Sequence, residues 1–278
     1  GVKKDDEVLV PSLTFVATAN AIKYCGSIPH FVDTEMNSFG IDVDKLEIYL
    51  KKNTKIENNE CINLKTGRRI HAIIPVHIFG FIGDIIRLKK LALQYNLIVI
   101  EDAAEALGSF KKGKHAGTFG KCSSLSFNGN KIITTGAGGA LITNDIKIAK
   151  YARHITTTAK LKHNFKYIHD MVGYNYRMPA LNAALGNSQL KKLPKYLIEK
   201  QKLQNNYRIN FEKIKDVVFF SGPSDCDGNN WLNTIILSKK ISKYRDIIVQ
   251  DLINHCYGCR PTWELLSSLK PFKNSPSM

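Results

Sequence analysis

SFNGNKIITTGAGG, residues 126–139, decides how the chain is read. It sets one lysine, Lys131, between a short apolar run and a turn rich in glycine. Cys122–Phe127 ahead of it reads as a buried strand, and Gly139–Thr143, GALIT, reads as a second. A lysine on a loop between two sheet strands is hard to keep as a solvated surface charge. Burial makes the neutral, nucleophilic amine accessible, and such an amine condenses with an aldehyde. Ser126, five residues earlier, offers a hydroxyl to a phosphate. A surface loop whose lysine stands near glycines accounts for this stretch as well, so the surrounding chain has to decide.

Outward toward the N-terminus, Leu97–Glu101, LIVIE, is a continuous apolar run of the kind found in a sheet covered on both faces. Asp102 follows it directly. A buried carboxylate without a partner costs several kcal/mol, so Asp102 needs either a cationic partner such as a pyridinium nitrogen or a turn to cap. Glu7–Val10, Ile28–Asp33 and His71–Val76 read as further strands, and Lys55–Arg69 as a polar loop. Helices are predicted over Phe15–Cys25, with Thr14 as N-cap and Gly26 as stop, over Val43–Lys52, and from an Asp84 cap to Tyr95. Strands alternating with helices predict an α/β fold with a mostly parallel sheet and right-handed crossovers. Ligands of such sheets sit at the carboxyl ends of the strands. His77, Asp102 and Lys131 all fall at such ends.

Beyond residue 143, Asp145–His154 reads as a helix and Thr156–Met178 as an ordered loop of polar and aromatic residues. Pro179 begins a helix of small residues, and Pro194 opens a second, charged helix to about Lys215. Val217–Phe220 and Trp231–Leu237 read as strands and Ile241–Cys256 as a helix. The expected organisation is a large domain over 1–193 and part of a smaller α+β domain over 194–278.

The chain has 278 residues, 44% of them hydrophobic, and a formal charge of +16. The lysines scatter over many helices without a compact basic run, so nucleic-acid binding is not expected. A nucleotide-linked substrate would be anionic as well. No run reaches the roughly 18 apolar residues of a membrane span. The N-terminal GVKKDDEVLV has no signal-peptide core, and the absence of an initiator methionine suggests a fragment trimmed at both ends. Of six cysteines, Cys256 and Cys259 form a lone CxxC with no second pair at metal spacing, so no metal is expected. A reducing cytoplasm is the default compartment.

Five blocks follow one another along the chain: VPSLTFVATANAI (10–22), EDAAEALGS (101–109), GTFG (117–120), SFNGNKIITTGAGG, and GYNYRMPALNAALG (173–186). Together they resemble the DegT/StrS-type nucleotide-sugar aminotransferases, pyridoxal-phosphate enzymes of the aspartate-aminotransferase fold (fold type I). TTTAK (156–160) and NNWLN (229–233) look like the LegC-like group among them. The resemblance implies that Lys131 is the Schiff-base lysine, that Asp102 pairs with the pyridine nitrogen, and that Phe15 stacks on the cofactor ring. It implies that Ser126 binds the cofactor phosphate and that Asn175 reaches the phosphate across a homodimer interface. Glu105 stands beside the ring hydroxyl, where relatives often carry glutamine or histidine. Ala137 replaces a glutamate common in the family, and the family's upstream glycine–threonine phosphate turn precedes the first residue here. His77, Lys160 and Tyr176 are expected to line the substrate pocket.

The activity implied is transfer of an amino group, from glutamate, to a UDP- or GDP-linked 4-keto-6-deoxy sugar, most simply an N-acetylated one, for surface polysaccharide or glycan biosynthesis. No arginine matches a carboxylate clamp of the aspartate type. Two alternatives use the same fold: a sugar dehydratase, whose relatives carry histidine in place of Lys131, and a cofactor-binding regulator without turnover.

Overall fold

A computed structural model describes all 278 residues. The central sheet is built from β1 (Glu7–Pro11), β2 (Ile28–Val32), β3 (Thr54–Glu57), β4 (Glu60–Asn63), β5 (Arg69–Ile73) and β6 (Ile98–Asp102). After β7 (Phe110–Lys111) and β8 (Lys114–His115), it is completed by β9 (Cys122–Ser126) and β10 (Gly139–Ile142). The strand order is β10-β9-β6-β5-β1-β2. Every pairing from β9 to β2 along that path is parallel, and β10 runs antiparallel to β9. The carboxyl ends of β1, β5, β6 and β9 therefore open on one edge.

Helices α1 (Val16–Tyr24), α2 (Val43–Asn53) and α3 (Ile85–Gln94) cover the sheet. Leu46 and Leu50 of α2 and Leu88 and Leu91 of α3 pack with Leu9, Ile73 and Val99 on one face. Ala19 and Ile22 of α1 pack with Val8, Val10 and Phe31 on the other. Asp42 and Asp84 cap α2 and α3 by accepting from Lys45 N and Arg87 N. At α1 the cap position is Phe15, not Thr14, and no side chain caps it. No helix is long and apolar enough to cross a membrane.

The sequence expectation fails over Lys55–Arg69, where β3 and β4 form a hairpin that pairs with the start of β5. Asn58 and Asn59 both take positive φ, 50° and 64°, the left-handed pair that closes a tight two-residue turn. The hairpin is pinned by buried Glu7, which accepts from Asn63 Nδ2 at 2.8 Å and Thr66 Oγ1 at 2.6 Å and lies 2.8 Å from His30 Nδ1. Burial opposes ionisation of Glu7, but these partners outweigh it and hold the carboxyl below its ordinary pKa.

Helix α4 (Ile146–Ile155) is capped by Asp145. Residues 156–178 are not all loop, since β11 (Lys160–Leu161) and β12 (Ile168–His169) form a small hairpin. Helix α5 (Ala180–Phe211) is one element of 32 residues with Pro194 inside it, so Pro194 does not open a new helix. A proline there removes one backbone hydrogen bond, which the flanking turns of a long helix can absorb. The boundary expected at 193/194 falls within this helix. β13 (Val217–Phe220) pairs with β15 (Thr234–Leu237), while β14 (Cys226–Asp227) between them joins β7. Helix α6 (Arg245–Asn254) is shorter than the predicted Ile241–Cys256, because Ser242–Tyr244 forms a 3₁₀ turn and Cys256 takes φ 63°. The last residues return to the sheet: Phe272 lies against Phe31, and Met278 N donates to Phe31 O.

Candidate active site

Lys131 lies on the loop between β9 and β10, tied down at several points. Lys131 N donates to Asn128 O, Thr135 N to Phe127 O, and Thr134 N to Gln189 Oε1 of α5. Asn182 of α5 donates to Thr135 O. The side chain is only 13% exposed. Its Nζ stands 3.6 Å from Glu105 Oε1 and 4.0 Å from the ring centroid of Trp231. The amine is thus enclosed between a carboxylate and an aromatic face and is not a solvated loop charge.

Asp102 closes β6. Its Oδ2 accepts from Thr18 Oγ1 of α1 at 2.7 Å, and its Oδ1 accepts from Ala104 N at 3.1 Å. One oxygen caps the following turn, the plainer expectation, while the threonine fixes the direction of the other. Phe15, at the head of the same helix, leaves its ring 54% exposed. The ring lies 6.3 Å from that of Trp263, tilted by 55°. Ser126 ends β9, and its Oγ accepts from Asn128 N at 3.3 Å.

Glu105 is buried, with Oε2 accepting from Phe79 N at 2.8 Å. Phe79 sits at φ 54°, a conformation that aims its N–H at the carboxylate. Burial, with a smaller push from the Asp102 charge, drives the Glu105 pKa up to about 7 against the pull of Lys131 and the Phe79 N–H.

His77 is buried. It is 1% exposed, and its Nε2 is 2.9 Å from Glu101 Oε2. Glu101, itself fully buried, also accepts from the backbone N–H groups of Gly117, Phe119 and Gly120. Burial disfavours its charge, but His77 and these amides more than compensate and lower its pKa. The GTFG block thus wraps an internal carboxylate beneath the site.

Lys160, Asn175 and Tyr176 lie apart from this cluster. Lys160 Nζ sits 3.8 Å from the ring centroid of Tyr167. Tyr176 is 74% exposed and stacks on Tyr174, and Asn175 bridges to Thr157. No hydrogen bond or ion pair within the chain joins these three to Lys131, Asp102 or Glu105.

Two residues of the site escaped the sequence reading: Trp231 and Asn229. Asn229 is 1% exposed. Its Nδ2 donates to Glu105 O at 2.7 Å and Leu107 O at 3.0 Å, and its Oδ1 accepts from Trp231 N at 3.0 Å. Trp231 Nε1 donates to Asn130 O at 2.7 Å, next to Lys131. Gly80, at φ 90°, makes room for this clamp, since a Cβ there would collide with Asn229 Oδ1. NNWLN carried the signal as a block, but nothing in its spacing tells that it meets a lysine about a hundred residues earlier.

Along its whole length, residues 1–278, the sequence matches the DegT/DnrJ/EryC1/StrS aminotransferase family. The chain belongs to that family. It is 35% identical over 277 residues to the GDP-perosamine synthase of Caulobacter vibrioides, covering 98% of this chain and 69% of the relative. It is 34% identical over 265 residues to the putative pyridoxal phosphate-dependent aminotransferase EpsN of Bacillus subtilis, covering 95% and 65%. The crystal structure of a DegT DnrJ EryC1 StrS aminotransferase from Brucella abortus superposes with a TM-score of 0.86 at 25% identity, covering all of this chain and 70% of that one. The chain spans between 55% and 69% of the length of the curated GDP-perosamine synthases it matches.

Membership of this family makes pyridoxal 5'-phosphate the expected cofactor and transamination the class of reaction. The residues present fit that group. An enclosed primary amine suits its aldehyde, a strand-end carboxylate suits its ring nitrogen, and an exposed phenylalanine offers its ring a face.

Proposed function

We propose that the full-length protein transfers an amino group from glutamate to the keto carbon of a UDP- or GDP-linked 4-keto-6-deoxy sugar, working as a homodimer in the cytoplasm. The observation that carries the reading is the enclosed Lys131 amine, 3.6 Å from the Glu105 carboxyl just beyond the end of β6. When bound, pyridoxal phosphate supplies an electron sink for the carbon whose hydrogen is exchanged.

The chain's own residues do the rest. Asp102, oriented by Thr18, would hold a proton on the ring nitrogen. Phe15 would offer its ring to one face of the cofactor. Lys131 would hold the cofactor, and its amine, when free, would accept and return a proton. Ser126 would meet the phosphate, and Asn175 would meet the phosphate of the partner's site.

The homodimer is supported by a run of exposed apolar side chains over the 157–181 surface: Phe165 at 78%, Val172 at 89% and Leu181 at 84%. Apolar exposure on this scale marks an association surface. Lys160 and Tyr176 on that surface would serve a diphosphate and a ring across such an interface. The sugar is supported by the GDP-perosamine synthases among the relatives. Nucleotide contacts remote from the ketone would contribute the binding energy that orients it.

The test is direct. The full-length protein should show a visible absorbance band with pyridoxal phosphate, and borohydride should fix the cofactor to Lys131. Given glutamate, it should aminate UDP- or GDP-linked 4-keto sugars and ignore pyruvate and oxaloacetate. Amination of those small keto acids alone would move the reaction to amino-acid metabolism, and a fixed cofactor with no turnover on any acceptor would favour a regulator.

A further inference from the structure

One buried titratable group beside Lys131 has no task in the mechanism above. Glu105 is the sole carboxylate within ion-pair distance of Lys131, at 3.6 Å. Both side chains are nearly closed to solvent, at 6% and 13% exposure. The Trp231 ring, its centroid 4.0 Å from the lysine nitrogen, cannot accept a proton. A proton leaving Lys131 therefore has one polar neighbour in the protein to go to. We propose that Glu105 is the proton-exchange partner of Lys131, its Oε1 taking the proton of the lysine ammonium and returning it.

The step breaks one N–H bond and forms one O–H bond. An ammonium and a carboxylate become an amine and a carboxylic acid, with no other reactant consumed. At 3.6 Å the pair is a few tenths of an ångström beyond hydrogen-bond length, a gap that rotation about the flexible lysine chain closes. The other carboxyl oxygen is fixed by Phe79 N, so the acceptor stays aimed while the donor moves. Asn229 holds the backbone of Glu105, and through Trp231 it reaches the loop of Lys131, so donor and acceptor share one clamp.

The charged groups that face Glu105 are Lys131, from the β9–β10 loop, and Asp102, from the end of β6. The 78–81 turn contributes the neutral Phe79 N–H, and the 229–231 segment contributes neutral side chains. Burial raises the carboxyl, with a smaller push from Asp102, against the pull of Lys131 and the Phe79 N–H, to about 7, where acid and carboxylate are both populated.

This inference rests on Lys131 being the reacting lysine, but its test reads Glu105 without turnover. Infrared difference spectra of the cofactor-free full-length protein, titrated between about pH 5 and pH 9, should show a carboxylic-acid band that vanishes with a midpoint near 7. The band should be missing in Glu105→Gln. It should titrate at higher pH in Lys131→Met, because the ammonium is what holds the carboxyl down. The rate at which Lys131 captures added pyridoxal phosphate should rise through the same midpoint. In Glu105→Gln it should fall by ~10²-fold with that inflection gone, and Glu105→Asp should restore the inflection. Titration of the band in the ordinary carboxylate range would overturn the proposal, as would wild-type capture by Glu105→Gln with its inflection kept. If that variant does not fold, the Lys131→Met shift decides alone. A band that behaves as expected, with borohydride fixing no cofactor to Lys131, would support the proton pair and overturn the functional reading instead.

Discussion

Replacing Asn229 should undo the site from a distance. Its side chain makes three buried hydrogen bonds, to Glu105 O, Leu107 O and Trp231 N. In Asn229→Ala each partner is left buried without a replacement, at about 1–3 kcal/mol for a stranded polar group. Taking the lower half of that range for three groups gives a loss of about 3–6 kcal/mol, a large share of the ~5–15 kcal/mol that holds a protein folded. Asn229→Asp separates hydrogen bonding from volume. It has the same shape but turns a lone pair, instead of two N–H donors, toward the Glu105 and Leu107 carbonyls, so it should cost at least as much as alanine. Urea unfolding measures the loss. The chain has two tryptophans, so a Trp263→Phe background isolates the emission of Trp231, which should shift red as its tether is lost. Either variant losing less than about 1 kcal/mol, with Trp231 emission unchanged, would refute the view that this asparagine fastens Trp231 beside Lys131.

Four further outcomes are expected. Lys131→Ala should leave the circular dichroism spectrum unchanged, abolish turnover and leave no cofactor fixable by borohydride. Asp102→Asn should weaken pyridoxal phosphate binding by roughly 10- to 100-fold in an absorbance titration, the usual range for a charged hydrogen bond made neutral. Glu105, raised from 4.5 to about 7, binds more protons folded than unfolded between those values, so its contribution to stability falls as pH rises through that window and levels off above it. The loss amounts to about 3 kcal/mol, and the stability of Glu105→Gln relative to wild type should climb by that much between pH ~5 and ~8 in urea unfolding. Finally, mixing Lys131→Ala with Asn175→Ala chains should recover part of the activity if sites are shared between subunits, and no recovery after confirmed chain exchange would mean that each site is self-contained.

What was legible in the sequence is what local patterns encode. LIVIE, the Asp84 cap and the alternation of strands and helices gave the parallel sheet, and the strand ends gave Asp102 and Lys131. The β3–β4 hairpin was missed because Asn-Asn is a weaker turn signal than Asn-Gly, although both asparagines adopt the left-handed conformation. Pro194 read as a helix start because proline fits the first turn best, but contacts at Asn182 and Gln189 before it, and at Lys200 after it, hold both halves of α5 as one helix. The place of His77 near a strand end is visible in sequence, while its buried pairing with Glu101 is not. Trp231 and Asn229 act entirely through long-range contacts, which no local pattern reveals.

Glu101 and Asp102 are adjacent acids on one strand, and successive strand residues point to opposite faces. The first is swallowed by four donors inside the molecule, while the second opens toward Thr18 and Lys131's neighbourhood. The pair works as a phase lock. If β6 slid by one residue, the longer acid would enter the cleft and the shorter one would face a nest of amides it could not fill. Evolution can therefore lengthen or recast the turns on either side of this strand, but a single inserted or deleted residue within it would exchange the roles of the two acids in one step.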